Sequence, residues 1–197
     1  MNCIMKSIGL FFGSFNPIHL GHTQLAEYIF NYSEVDEIWY IVSPRNPLKE
    51  QAELIDEQLR LYMIELATEG KKYLKVSDIE FDMPKPSYTI NTLHALSEKY
   101  PENNFILLIG SDNMHIFDQW KDYQTILDEY SILVYPRQGF DYKPFDEIYP
   151  EMCILEKAPL FEISSTEIRE MIKNNQDASQ WLHPNVYQFI MANGLYQ

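Results

Sequence analysis

The sequence predicts an α/β fold built on a doubly wound parallel sheet, and three observations predict it. Short, nearly continuous apolar runs recur at Ser7-Ile8-Gly9-Leu10-Phe11-Phe12, Glu37–Val42, Asn104–Ile109 and Ser131–Arg137, and each reads as a strand covered on both faces. The stretches between them carry apolar residues at helical spacing. Strand and helix alternate, which places helices on both faces of a parallel sheet. At 197 residues with 46% apolar composition, the chain is long enough to bury one sizeable core. One domain over 1–197 with a small helical C-terminal part is the expected organisation, and no repeat or linker divides it.

Composition narrows the partners. Acidic residues number 29 against 15 basic, a net charge of −14, which argues against a general nucleic-acid binder but not against a local basic pocket. Cys3 and Cys153 make neither a disulfide framework nor a zinc set and suggest a reducing compartment. No apolar run reaches membrane length, and the N-terminus does not read as a signal peptide. A cytoplasmic enzyme without nucleic-acid or membrane partners is the expectation.

The first strand runs into Gly13-Ser14-Phe15-Asn16-Pro17-Ile18-His19-Leu20-Gly21-His22, and Leu25, Ala26, Ile29 and Phe30 then recur on a helix. Gly13 permits close approach at the strand end, Pro17 stiffens the turn, and Gly21 clears the start of the helix. Unpaired N–H groups at a helix start favour anions, and His19 and His22 add donors of adjustable charge. The ligand this stretch suits is a phosphate. The alternative is a zinc site on the two histidines, but no cysteine or acidic cluster stands beside them.

After the second strand, Ser43 to Lys49 form a loop at the ligand-binding edge of such a sheet. Arg45 and Lys49 there either face anionic groups or are simply solvated. Asp56 starts a helix through Leu59, Tyr62, Met63, Leu66 and Ala67, ended by Gly70, with Arg60 pointing off the apolar stripe. Tyr73–Val76 is a short strand, and Asp78 to Pro86 is a connector. Ser87 is the expected N-cap of the next helix, whose stripe is Ile90, Leu93, Leu96 and Tyr100. Tyr88 serves either packing or a ligand, and Thr89 sits in the first turn, where free N–H groups point outward. Gly110-Ser111-Asp112 breaks the central strand Asn104–Ile109 at its carboxyl end, and Phe117 and Trp120 follow. Gln138 to Pro150 shows no period, and Cys153-Ile154-Leu155 is the expected last strand. Ser164-Ser165-Thr166-Glu167 is a capping box opening a helix through Ile168, Met171 and Ile172, with Arg169 one turn in. The helix from about Pro184 to Gly194 reads as structural.

His19-Leu20-Gly21-His22 matches the H-x-G-H signature of the nucleotidyltransferase superfamily, and Ile163-Ser164-Ser165-Thr166-Glu167-Ile168-Arg169 matches its I-S-S-T-x-I-R signature. Ser87, Tyr88, Thr89, Thr92 and Leu93 resemble the S-Y-T-x-x-T-L segment of nicotinate-nucleotide adenylyltransferases, and Gly110 with Asp112 resembles their G-x-D. The resemblance implies a Rossmann-like fold and adenylyl transfer from ATP to nicotinate mononucleotide, with Mg²⁺ bound through the ATP phosphates. It implies His19, His22 and Arg169 as catalytic groups. Gly13, Ser14, Phe15, Gly21, Gly110, Asp112, Ile163, Ser164, Ser165 and Thr166 join them around ATP. Lys49, Ser87, Tyr88, Thr89 and Trp120 would meet the acceptor, Trp120 by stacking on its base. No metal ligand is implied in the chain itself, and a homo-oligomer stays open. Two departures stand out: Asn16 occupies a position where many members have Asp, and Pro47-Leu48-Lys49 replaces their Pro-His-Lys. Nicotinamide mononucleotide or another phosphorylated acceptor, and a nucleotide sensor without catalysis, remain alternatives.

Overall fold

The computed structural model describes residues 5–44, 54–145 and 147–197. Six strands form one parallel sheet: β1 (Lys6–Gly13), β2 (Glu37–Val42), β3 (Leu74–Ser77), β4 (Asn103–Gly110), β5 (Ser131–Tyr135) and β6 (Met152–Ile154). Their order is β3-β2-β1-β4-β5-β6, the Rossmann-like arrangement in which the chain reverses direction across the sheet between β1 and β4. At such a switch point the loops at the carboxyl ends diverge and leave a crevice. The turn from Gly13 and the turn from Gly110 both open there.

The helices divide between the two faces. On one face, α1 (Leu20–Tyr32), α2 (Glu57–Thr68), α6 (Ser165–Lys173) and α7 (Pro184–Ala192) pack Ile29, Met63, Ile64, Ile168 and Ile190 against Phe11, Tyr40 and Leu108. On the other, α3 (Thr89–Lys99) and α5 (Tyr123–Glu129) set Ile90, Leu93, Leu96 and Ile126 against Leu10, Ile41, Leu107 and Ile132. The period-two alternation of β1 and β4 sends successive residues to opposite cores, which is why these strands read as continuous apolar runs. Between β4 and α5 comes α4 (Ser111–Met114). Neither α4 nor α5 was evident from periodicity: α5 has seven residues and a single buried one, too few to set a stripe.

Two readings of the sequence need correction. Ser87 does not cap α3; Tyr88 holds that position, no side chain caps the helix, and the Ser87 hydroxyl donates to Glu80 at 2.7 Å. Glu80, placed in the connector, lies on a 3₁₀ turn Ile79–Asp82 and is buried, so its carboxylate outcompetes the helix start for the hydroxyl. The stripe of α2 is also drawn differently: Tyr62, expected on it, is 46% exposed, while Arg60, off it, is 0% exposed. Its guanidinium donates to the carbonyls of Ser14 (2.6 Å), Ser43 (2.8 Å), Ile55 (3.1 Å) and Pro44 (3.3 Å). The fork of donors is what makes burial tolerable. Arg45 and Lys49, expected at the sheet edge, lie outside the described residues.

At the amino edge of the sheet, Glu37 ties β1 to β2 and β3. It pairs with Lys6 and Lys75, each at 2.7 Å, and accepts from the Trp39 indole at 3.0 Å. Burial alone would raise its pKa, but these three donors outweigh it and hold the carboxyl at about 2. The stabilisation is therefore present above the ordinary glutamate range near 4.5 and is lost as pH falls towards 2. Glu37→Gln is expected to lower unfolding free energy by about 1–3 kcal/mol at neutral pH. Urea titrations at several pH values should show the difference from the parent shrinking below about pH 4; a difference independent of pH would contradict the assignment.

Candidate active site

The turn after β1 is held from outside. Ser14 gives its carbonyl to Arg60, Asn16 gives its carbonyl to Arg169 Nη1 at 3.0 Å, and Pro17 gives its carbonyl to the Ser165 hydroxyl at 2.9 Å. The turn that leads into His19–His22 and the second signature segment, 148 positions apart between Pro17 and Ser165, are thus in direct contact. Phe15 adopts left-handed backbone (φ 45°) with its ring buried, a conformation that costs a non-glycine residue about 1–2 kcal/mol and persists only where the surroundings fix it. A Cβ on Gly13 would lie 2.8 Å from the Phe15 ring, so the glycine is needed for the ring to fold back over the strand end.

Asn16 is buried, and its side-chain oxygen accepts from the Tyr196 hydroxyl at 2.8 Å. The C-terminal segment, read as structural, therefore reaches the turn. Tyr196 also lies in the field of Arg169 and Arg60, which opposes the rise that burial imposes on its pKa.

His19 caps α1 by position, and His22 lies one turn in. Their rings stack at 3.7 Å, and His22 Nδ1 accepts from the His19 backbone N–H at 3.3 Å. In the neutral ring that bond leaves the proton on Nε2 of His22. A Cβ on Gly21 would approach the His19 ring at 3.0 Å, so glycine there makes room for the stack. Burial, and then the charge of Arg137, lower the His19 pKa to about 3. His19 is neutral at physiological pH, so the adjustable charge expected of it from sequence is not available; it offers a neutral N–H.

Around the second signature, Ser164 caps α6 as expected: its Oγ accepts from Glu167 N at 3.2 Å, and Glu167 Oε2 accepts from Ser164 N at 2.7 Å. Arg169 Nη2 donates to Thr166 Oγ1 at 3.4 Å. Ile163, His19, Gly21 and His22 line a small cleft of about 20 Å³ with Arg137 and Tyr135. Asp112 stands 3.7 Å from Arg137 Nε.

A larger cavity of about 320 Å³ lies on the other side of Tyr135. Gly13, Gly110, Ser87, Tyr88, Thr89 and Trp120 line it, so residues from three separate stretches of the sequence converge. The Trp120 indole packs 5.3 Å from the Phe117 ring, and Lys121 Nζ stands 4.9 Å from the centroid of Tyr88. Lys49 is outside the described residues; Ser14 and Phe15 shape the turn from behind. Sequence reasoning missed Tyr135 as the wall common to both cavities, and missed Glu80, Lys121 and Arg137. The only signal for Tyr135 and Arg137 was their place at the carboxyl end of a strand.

Comparison with known proteins places the family and the fold. A family model described as cytidylyltransferase-like matches residues 10–171. A probable nicotinate-nucleotide adenylyltransferase of Bacteroides fragilis is 48% identical over 93% of this chain and 90% of its own. One from Flavobacterium psychrophilum is 44% identical over 96% and 98%. Among solved structures, Plasmodium falciparum nicotinic acid mononucleotide adenylyltransferase complexed with NaAD superposes with a TM-score of 0.82 at 22% identity, covering 97% of each chain, a likeness of fold. The chain belongs to the cytidylyltransferase-like family and, within it, to the nicotinate-nucleotide adenylyltransferases.

Proposed function

We propose that the chain, as one nucleotidyltransferase unit over 1–197, transfers the adenylyl group of ATP to nicotinate mononucleotide. The products are nicotinate adenine dinucleotide and pyrophosphate, a step of NAD biosynthesis in the cytoplasm. The observation that carries this reading is the pair of cavities sharing Tyr135: one bears the imidazoles and Arg137, the other Thr89 and Trp120. Two substrates must meet at one phosphorus atom, and adjoining cavities at a switch point allow it.

An acceptor phosphate oxygen attacks the α-phosphorus and pyrophosphate leaves, so the chain needs no nucleophile of its own. Its work is to align two polyanions and offset charge on the α-phosphate and leaving group. Mg²⁺ would accompany ATP as part of the substrate and would offset part of the phosphate charge. His22 Nε2–H and the neutral His19 are the side-chain donors at the start of α1. Ser165 and Arg169 hold the turn after β1 through Pro17 and Asn16, and in this reading they would border the phosphates together with Thr166. His22→Ala is expected to lower kcat by about 10²–10³ with an unchanged melting curve. A kcat within a few-fold of the parent would remove His22 from the reaction.

Acceptor choice turns on the start of α3. No side chain caps it, and Ser87 is committed to Glu80, so backbone N–H groups near Thr89 are available to a ligand. A carboxylate offers two acceptor oxygens to such donors, whereas a carboxamide offers one oxygen and a donor. An unpaired buried group costs about 1–3 kcal/mol. Pyrophosphate release with Mg-ATP should therefore show kcat/KM for nicotinate mononucleotide about tenfold to a hundredfold above that for the amide. Equal values, or preference for the amide, would refute the acceptor assignment.

A further inference from the structure

Glu80 is 2% exposed, and its two carboxylate oxygens accept hydroxyl hydrogens from Ser87 at 2.7 Å and Thr92 at 2.8 Å. Among the described residues no Lys, Arg or His forms an ion pair with it. Burial raises its pKa against the pull of the Ser87, Thr92 and Ser43 hydroxyls. A buried carboxylate lacking a counter-charge is costly to keep. This one lines the larger cavity beside Tyr88 and Trp120.

The ring nitrogen of an oxidised pyridine mononucleotide is quaternary, so the ring carries a permanent positive charge. A carboxylate next to aromatic faces is the setting that a flat organic cation selects. We propose that Glu80 is a specificity-determining residue whose carboxylate supplies the negative charge for the acceptor's pyridinium ring, so that the cavity selects an oxidised, cationic ring over a reduced, neutral one. The inference rests on the assignment of this cavity to the acceptor. The cavity then matches a zwitterion: Glu80 serves the cationic ring, while the start of α3 serves the anionic ring substituent. Lys121, on the exposed side near Tyr88, adds positive charge at the same mouth.

The test compares kcat/KM for nicotinate mononucleotide and its 1,4-dihydro counterpart, both with Mg-ATP, in the parent and in Glu80→Gln. Glutamine keeps the shape and can still pair with both hydroxyls, but removes the charge. The parent should prefer the cationic ring by about tenfold or more, and the variant should lose most of that preference while KM for ATP stays within about twofold. An unchanged ratio, or an equal fall for both acceptors, would overturn the proposal and leave Glu80 a brace between the 3₁₀ turn and α3. A rise in preference for the acid over the amide would also overturn it, by placing the carboxylate against the ring substituent. If the variant does not fold, dissociation constants of the two acceptors for the parent decide: tighter binding of the cationic ring supports the role, and equal binding overturns it. Absence of turnover by the parent would instead count against adenylyl transfer, with the binding constants still testing Glu80.

Discussion

The carbonyl oxygens of the turn after β1 are claimed from elsewhere in the chain, and the rest of the site depends on that. Arg60 takes Ser14, Arg169 takes Asn16 and Ser165 takes Pro17. The donors come from α2 and from α6, both far from the turn in sequence, so the turn has its shape only in the folded chain. Within one trans peptide unit the N–H and C=O point in opposite senses, so the bound carbonyls of Ser14 and Pro17 turn the N–H groups of Phe15 and Ile18 the other way. Within a chain of net charge −14, Arg60, Arg137 and Arg169 concentrate positive charge at one sheet edge.

Charge at this edge comes from guanidinium groups rather than from the His19 imidazole. His19 is held neutral by burial and by Arg137, and its stack on His22 leaves little room for two cations side by side. Neutral N–H donors suit a reaction in which negative charge shifts between oxygens, because they need no proton transfer. Tyr135 is buried and forms a wall common to the two cavities.

Much of this was legible in the sequence. The parallel strands were readable because burial on both faces leaves an unbroken apolar run, and β2 falls on Glu37–Val42 as expected. The capping box at Ser164 was readable because capping is local. What escaped were polar residues whose partners are distant. Arg60 looks like any exposed helix cation until the carbonyls of Ser14, Ser43 and Pro44 converge on it. Ser87 looks like a cap until Glu80, seven positions earlier, is found buried beneath it. Thr89 and Trp120 could be named separately, but only the sheet order brings them into one cavity.

The most direct measurement is amide hydrogen exchange of the parent chain with and without saturating Mg-ATP. If the turn presents its N–H groups to phosphates, exchange should slow over residues 13–22 and 164–169, with little change at the amino edge of the sheet around Glu37. No slowing in those two segments, or protection confined to other parts of the chain, would contradict the placement of the nucleotide phosphates at this turn.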